Sequence, residues 1–457
     1  MLARILTPDE YGLMGIITIF IGLAGSFVDS GFSNALVRKQ DATDEDYNTV
    51  FIVNLAVSVF FSLLLVFGAP LIAKFFDRPP LVALTRAMSL MVVINALSIV
   101  QGTQLSKRLD FKTQTRISIT SSSVSGIVGI AMALCGCGVW SLVGQQLSRA
   151  LLNSALLWGF NRWIPNFSFS KKSFTEMFSF GWKLLVSGLL CSVWGQIYQI
   201  VIGKCYSPAS LGHYTRAKQF ANLCSSNLTG VVQRVSYPSL STIQDDAERL
   251  KNAYRTTIKT TMLVTFCCMF GLAAVAKPMI RVLIGSKWMP CVPMLQIVCF
   301  SLVLYPLQAI NLNMLQIKGR SDLFLKLEII KKIIGIGPLL LGVFVDIYWM
   351  LWGSVVTSII SYFLNSGYSG KLVGYSTFDQ MKDIAPSLGI SLFMGLVVFA
   401  MNLLPVSPFI LLPLQVLSGV AMVIGICEAL QLKEYREAKA IFLSVVGKSK
   451  DWVKAKI

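Results

Sequence analysis

Thirteen runs of about 18 to 27 mostly apolar residues, joined by short polar connectors, dominate this chain of 457 residues. At 1.5 Å rise per residue, ~20 apolar residues cross the ~30 Å hydrocarbon core of a bilayer. A helix suits that solvent because it satisfies its own backbone N–H and C=O groups. The runs therefore predict an all-α polytopic membrane protein, with spans at 12–35, 47–73, 81–104, 117–134, 139–158, 178–202, 211–235, 257–284, 292–315, 327–345, 349–368, 384–404 and 409–430. Only 14% of residues are charged, against ~25% in soluble domains, so a water-facing surface is excluded as the general case. The most polar span is 211–235, which carries Arg216, Lys218, Gln219 and Asn222.

The net charge of +18 has two readings, nucleic-acid binding or membrane topology, and the loops decide between them. One alternating set of connectors, with the tail after Leu430, holds 28 Lys and Arg; the opposite set holds eight, from Arg4 to Lys287. Basic loops stay in the cytoplasm, which predicts a cytoplasmic C-terminus and turns the charge into topology. Segment 244–259 and the tail 433–457 read as amphipathic and basic anchors on the inner surface. The ten Cys are scattered, most in apolar runs, and Cys135-x-Cys137 has no second pair at metal-ligand spacing. Neither zinc, a disulfide nor any other cofactor is assigned.

Three motifs recur at nearly constant offset. Thr7-Pro8-Asp9-Glu10-Tyr11-Gly12 returns as Ser207-Pro208-Ala209-Ser210-Leu211-Gly212, and Val139-Trp140-Ser141-Leu142-Val143-Gly144 as Tyr348-Trp349-Met350-Leu351-Trp352-Gly353. The loop from Lys107 to Lys112 has a looser echo from Arg320 to Lys326. A duplicated unit follows. The second Pro-x-x-x-Gly turn follows a full span and the first follows only Met1 to Leu6, so symmetry predicts an opening span ahead of this sequence. With it, each repeat holds six crossings in the same orientation, and fourteen spans in all. The expected organisation is an N-lobe over 1–165 (the end of span 1 and spans 2–6), a C-lobe over 166–372 (spans 7–12), two additional spans in 373–432, and the basic tail. Parallel repeats of this kind place a substrate site between them.

Two six-span halves with a two-span appendix resemble the multidrug/oligosaccharidyl-lipid/polysaccharide exporter superfamily. The stretches Ala3-Arg4-Ile5-Leu6-Thr7-Pro8-Asp9-Glu10-Tyr11-Gly12, Asp29-Ser30-Gly31-Phe32, Leu211-Gly212-His213-Tyr214-Thr215-Arg216-Ala217, Gly285-Ser286-Lys287-Trp288 and Leu315-Gln316-Ile317-Lys318-Gly319-Arg320 are similar to its bacterial polysaccharide-transporter branch, the Wzx-type flippases, and especially the colanic-acid-exporter-like group. The likeness runs from Ala3 to about Lys382 and departs at His213, where Tyr is expected. It implies a substrate, an oligosaccharide on an undecaprenyl diphosphate carrier, turned to the outer leaflet for surface polysaccharide. Membrane lipid and a driving proton or sodium ion are the other implied partners, and no nucleic acid.

Carrying a diphosphate through hydrocarbon requires fixed cations, and four lie inside spans: Arg216, Arg149, Lys218 and Lys183. Arg offers a planar fork to phosphate oxygens and Lys a point charge. For Arg216, Lys218 and Lys183 the competing reading is snorkelling to an interface; for Arg149 it is pairing with Asp29. Asp29 has three readings: partner of a cavity cation, coupling residue for a proton or sodium ion, or a cap or hinge before Gly31. Gln196, Gln199, Asn222 and Asn311 are candidate sugar contacts, against interhelical hydrogen bonding. Glu328 beside Lys331 and Lys332 reads as a solvated ion pair, and His213 as interfacial. A drug exporter is the rival transporter reading, although its cationic substrates favour an acidic cavity. A membrane-embedded polymerase or ligase is the second rival, against which the loops carry no paired carboxylates or Ser/His pair.

Overall fold

A computed structural model of the chain describes the backbone of residues 1–439 except 30, 31, 40, 162, 167, 434, 437 and 438. It describes their side chains except those of Asn34, Arg38, Phe180, Lys183, Leu184, Val231 and Val235. Among the described residues the regular structure is entirely helical, and ten helices or helix pairs are long and apolar enough to cross a membrane. The chain is an all-α, multi-pass membrane protein. It divides into two compact units, Met1–Thr215 and Arg216–Ile457.

The first unit contains α1 (Leu2–Ile5), α2 (Pro8–Asp29), α3 (Phe32–Arg38), α4 (Asp44–Phe76), α5 (Leu81–Lys107), α6 (Phe111–Leu134), α7 (Trp140–Asn161), α8 (Lys171–Cys205) and the start of α9 (Pro208–Ser241). Mid-way along α4 the buried face is mostly polar or small (Asn54, Ser58, Ser62, Ala69, with Leu65), whereas Phe60, Leu63, Leu64 and Phe67 are exposed. In lipid, apolar side chains gain nothing by hiding from a solvent as apolar as themselves, so small and hydroxyl residues mediate the packing. Ser62 accordingly donates to the Ser89 carbonyl of α5 at 3.1 Å. Thr43 and Asp46 form a reciprocal capping box at the start of α4. Asp46, 1% exposed, lies 3.0 Å from Lys39 Nζ, which also reaches Glu176 of α8 at 3.1 Å. Those carboxylates hold the Lys39 ammonium above its ordinary pKa, Asp46 first.

The repeated Pro-x-x-x-Gly motif has a packing cause. At the start of α2 and of α9, both within the first unit, a Cβ on Gly12 would overlap the Pro208 carbonyl, and one on Gly212 would overlap the Pro8 carbonyl. Each copy of the motif supplies the hole for the other's backbone. The Trp-x-x-x-Gly repeat works within each unit: Gly144 of α7 leaves room for Met132 of α6.

In the second unit, after the rest of α9, come α10 (Ala247–Leu283), α11 (Cys291–Leu302), α12 (Tyr305–Ile317), α13 (Ser321–Ile334), α14 (Ile336–Phe344), α15 (Ile347–Val373), α16 (Thr377–Ala400) and α17 (Pro408–Ala429). Gly353 of α15 accommodates Pro338 of α14 as Gly144 accommodates Met132. All thirteen expected spans coincide with helices or helix pairs. The expected single helices at 292–315 and 327–345 are each divided, and the expected span 12–35 includes Ser30 and Gly31, which lie outside the described residues. Pro306 and Pro338 supply no N–H and crowd the preceding turn, which accounts for both divisions.

A buried polar knot ties four helices. Tyr254 Oη of α10 and Ser369 Oγ of α15 both donate to Asn311 Oδ1 of α12 at 2.6 Å. Gln380 of α16 adds a 3.3 Å bond to the Asn311 amide. Beside it Arg255 pairs with Asp383 through two bonds of 2.5 and 2.6 Å, and Tyr375 Oη donates to the same carboxylate at 2.6 Å.

The unit boundary falls inside α9, after Thr215, because α8 packs on α2, α3 and α4.

Candidate functional site

α9 is 34 residues long yet is not among the ten apolar candidates. In the second unit Arg216, Gln219, Ser226, Asn227, Gly230, Gln233, Arg234 and Tyr237 are unburied and share one face of α9 by helical spacing, with exposed Leu223 among them. Phe220, Leu228 and Val232, also unburied, lie beside or away from that face. Arg216 and Arg234 are 18 residues apart, which at 100° and 1.5 Å per residue puts them on one face, ~27 Å apart. That distance approaches the hydrocarbon thickness. The two Arg are thus near the ends of the span, within reach of an interface, while Ser226, Asn227 and Gly230 between them would present polar side chains and bare backbone to acyl chains. The stripe is chemically suited to water, phosphate and hydroxyl groups instead.

At the Arg234 end the stripe enters a cleft of about 740 Å3, wholly within the second unit. Gln233, Arg234 and Tyr237 come from α9; Gln308, Asn313 and Gln316 from α12; Glu328 and Lys331 from α13. Gln308 is fixed by donating to the Ser358 carbonyl and hydroxyl at 2.9 and 3.0 Å. Lys331 and Glu328 form an ion pair with side chains 14% and 30% exposed, more enclosed than the solvated pair expected. Arg234 and Tyr237 are exposed, and among the described residues Arg234 has no ion-pair partner.

The sequence-predicted residues are dispersed. Arg216 is half-buried and donates to Gln219, while Lys218, Asn222, Gln196 and Gln199 are half-buried on α9 and α8. Among the described residues the Gln196 Oε1 is buried without a hydrogen-bond partner. Arg149 is exposed on α7. Asp29, the last residue of α2, accepts from Ser33 of α3, and among the described residues no ion pair joins it to Arg149. Lys183 lies on α8, but its side chain is outside the described residues. Asn311 differs from expectation: it is fully buried, and its carboxamide serves the four-helix knot rather than a sugar. Arg234, Lys331, Tyr237 and Gln316 were not predicted, because loop assignment by charge put the two cations in cytoplasmic connectors. The five-turn spacing from Arg216 to Arg234 was the signal available.

A family profile described as "Polysaccharide biosynthesis protein" matches residues 1–293. The succinoglycan biosynthesis transport protein ExoT of Rhizobium meliloti (strain 1021) is 29% identical over 301 residues, 66% of this chain and 61% of that protein. The chain thus spans about three fifths of the length of the curated relatives it matches first. Among solved structures, lipid II flippase MurJ in an inward closed conformation superposes with TM-score 0.74 at 17% identity, covering 95% of this chain and 94% of that one. An inward-facing multidrug resistance MATE family transporter of the MOP superfamily gives 0.64 at 16% identity, covering 82% and 94%. At these identities the superpositions establish the fold alone, which a lipid flippase and a drug transporter share.

Proposed function

Because the chain belongs to the polysaccharide biosynthesis protein family, we propose that it moves undecaprenyl-diphosphate-linked oligosaccharide from the cytoplasmic to the outer leaflet of a bacterial inner membrane. The cargo feeds surface polysaccharide assembly, and the transport is alternating access between two lobes. The observation that carries this reading is the polar face of α9, with Arg216 and Arg234 at its two ends. A diphosphate headgroup loses its hydration in hydrocarbon at a cost that fixed guanidinium groups offset. Amides and hydroxyls along the stripe replace water around the sugars.

Charge separates this cargo from an organic cation. Away from the span ends, Arg216, Arg149, Lys218 and Lys183 stand against Asp29, with Glu328 and Glu428 at the edges of their spans, and the balance favours an anion. Arg216 and Arg149 are the phosphate-clamp candidates, with Lys218 and Lys183 as further cations. Gln196, Gln199 and Asn222 are candidate sugar contacts. Asp29 is the candidate for proton or sodium coupling, and the positive-inside distribution puts the C-terminus in the cytoplasm.

The test is surface polysaccharide in a flippase-deficient strain carrying this chain, Arg216→Ala, or Arg216→Ala with Arg149→Ala. The wild-type chain is expected to restore export and the double variant to reduce it at least tenfold at equal membrane abundance. Full export by the double variant refutes the clamp. Collapse of the proton or sodium gradient, paired with Asp29→Asn, identifies the coupling ion.

A further inference from the structure

The cleft between α9, α12 and α13 lies outside the clamp just described, at the end of the second unit that carries Lys318 and Arg320. We propose that it is a separate loading site for a diphosphate bearing sugar, with Glu328 as the placeholder that the incoming phosphate displaces from Lys331. The direction of travel rests on the flippase reading; the anion site itself does not.

Two helices bring the cations together. Arg234 extends from α9 and Lys331 from α13, and both line the same space. Lys331 is 14% exposed, and an ammonium so enclosed needs a counter-charge. Glu328, one turn before it on α13, provides that charge while the cleft is empty. It is the sole carboxylate among the residues lining the cleft. A diphosphate carries more negative charge than one carboxylate and can engage Arg234 as well. Charge-assisted hydrogen bonds to two cations favour it over the Glu328 contact.

The remaining wall suits sugar hydroxyls. Gln233, Asn313 and Gln316 offer paired donors and acceptors, while Tyr237 and Tyr305 give apolar ring faces beside them. The cleft volume of about 740 Å3 falls within the ~300–1,000 Å3 range of small-molecule sites. It accommodates a headgroup, not a whole glycan with its lipid. The placement suggests sequence in transport: the diphosphate is taken up near Arg234 and Lys331, then handed along α9 toward Arg216. The lipid-linked diphosphate is the proposed ligand; a free diphosphate shares its chemistry.

The experiment uses the full chain in lipid nanodiscs, with inorganic pyrophosphate and farnesyl diphosphate as probes in titration calorimetry. Arg234→Gln and Lys331→Gln are each expected to weaken pyrophosphate binding about tenfold, the scale of one lost charge-assisted bond. Glu328→Gln is expected to tighten it several-fold, a gain that misfolding does not produce. Asp322→Asn, on the same helix but paired with Arg320 at 2.8 Å, is expected to change nothing. Unchanged or weaker binding by Glu328→Gln overturns the placeholder. Wild-type binding by both cation variants overturns the site. Tighter binding of farnesyl diphosphate than pyrophosphate supports the lipid-linked ligand, and the reverse order overturns that part. The predicted binding profile in a chain that fails to restore polysaccharide would sink the flippase reading and leave the anion site standing. Restored polysaccharide with a flat binding profile would do the opposite.

Discussion

Asn311 Oδ1 receives two hydroxyl donors at 2.6 Å in a position with no solvent exposure. Replacing it with Leu leaves Tyr254 and Ser369 without that acceptor, and an unsatisfied buried polar group costs ~1–3 kcal/mol. Thermal unfolding of Asn311→Leu in detergent should therefore begin several degrees below wild type, and Tyr254→Phe should lose less. Asn222→Ala, on a half-buried helix face, should leave the unfolding temperature within experimental error while lowering polysaccharide export. Equal thermal losses in Asn311→Leu and Asn222→Ala would remove the distinction between knot and stripe. From sequence, both residues are polar amides in apolar runs. Only the folded partners separate them: a hydroxyl 57 residues away along the chain meets one and not the other. Lys331 illustrates the reverse difficulty, since a lysine near a loop reads as solvated until α9 and α12 enclose it.

At the scale of elements, apolar run length was enough to locate helices at all thirteen expected spans. It was not enough to find where two of them, 292–315 and 327–345, divide. Hydropathy averages over a window, whereas each of those breaks is caused by one proline without an N–H. The stripe on α9 has its own prediction. Ser226→Leu with Asn227→Leu makes the helix more apolar and should preserve insertion and abundance, while export falls at least tenfold because the polar track is interrupted. Retained export alongside normal abundance would show that the stripe carries nothing. Ser376 begins α16 in a reciprocal box with Asp379, accepting from its N–H at 3.1 Å. Ser376→Ala should cost ~1 kcal/mol of stability, the usual loss for a helix N-cap, with little change in export. A measured loss above ~3 kcal/mol would mean the serine has duties other than capping.

For the molecule as a whole, the strongest sequence signal is the unequal division of 28 and eight basic residues between opposite connectors. A fluorescent protein joined after residue 432 should glow, because it folds in the cytoplasm, whereas alkaline phosphatase at the same junction should stay inactive. The inverse pair of results would reverse the topology. Two of the three repeat motifs have a packing cause: Gly144 meets Met132, Gly353 meets Pro338, and Gly12 and Gly212 meet each other's prolines. The break between compact units was not legible. Sequence similarity records descent of a segment, while α8 sits where its neighbours α2, α3 and α4 hold it.

The reciprocal fit of Gly12 and Gly212 has a practical outcome. Two bare α-carbons, each beside the other helix's prolyl carbonyl, act as a matched shim of zero thickness. An alanine at either place forces the same pair of helix starts apart, so the second alanine finds the gap already opened. The two substitutions should therefore be strongly sub-additive, unlike remote changes, which sum to within ~0.3–0.5 kcal/mol. The pair thus offers a ruler for how far those helix ends can separate before transport stops.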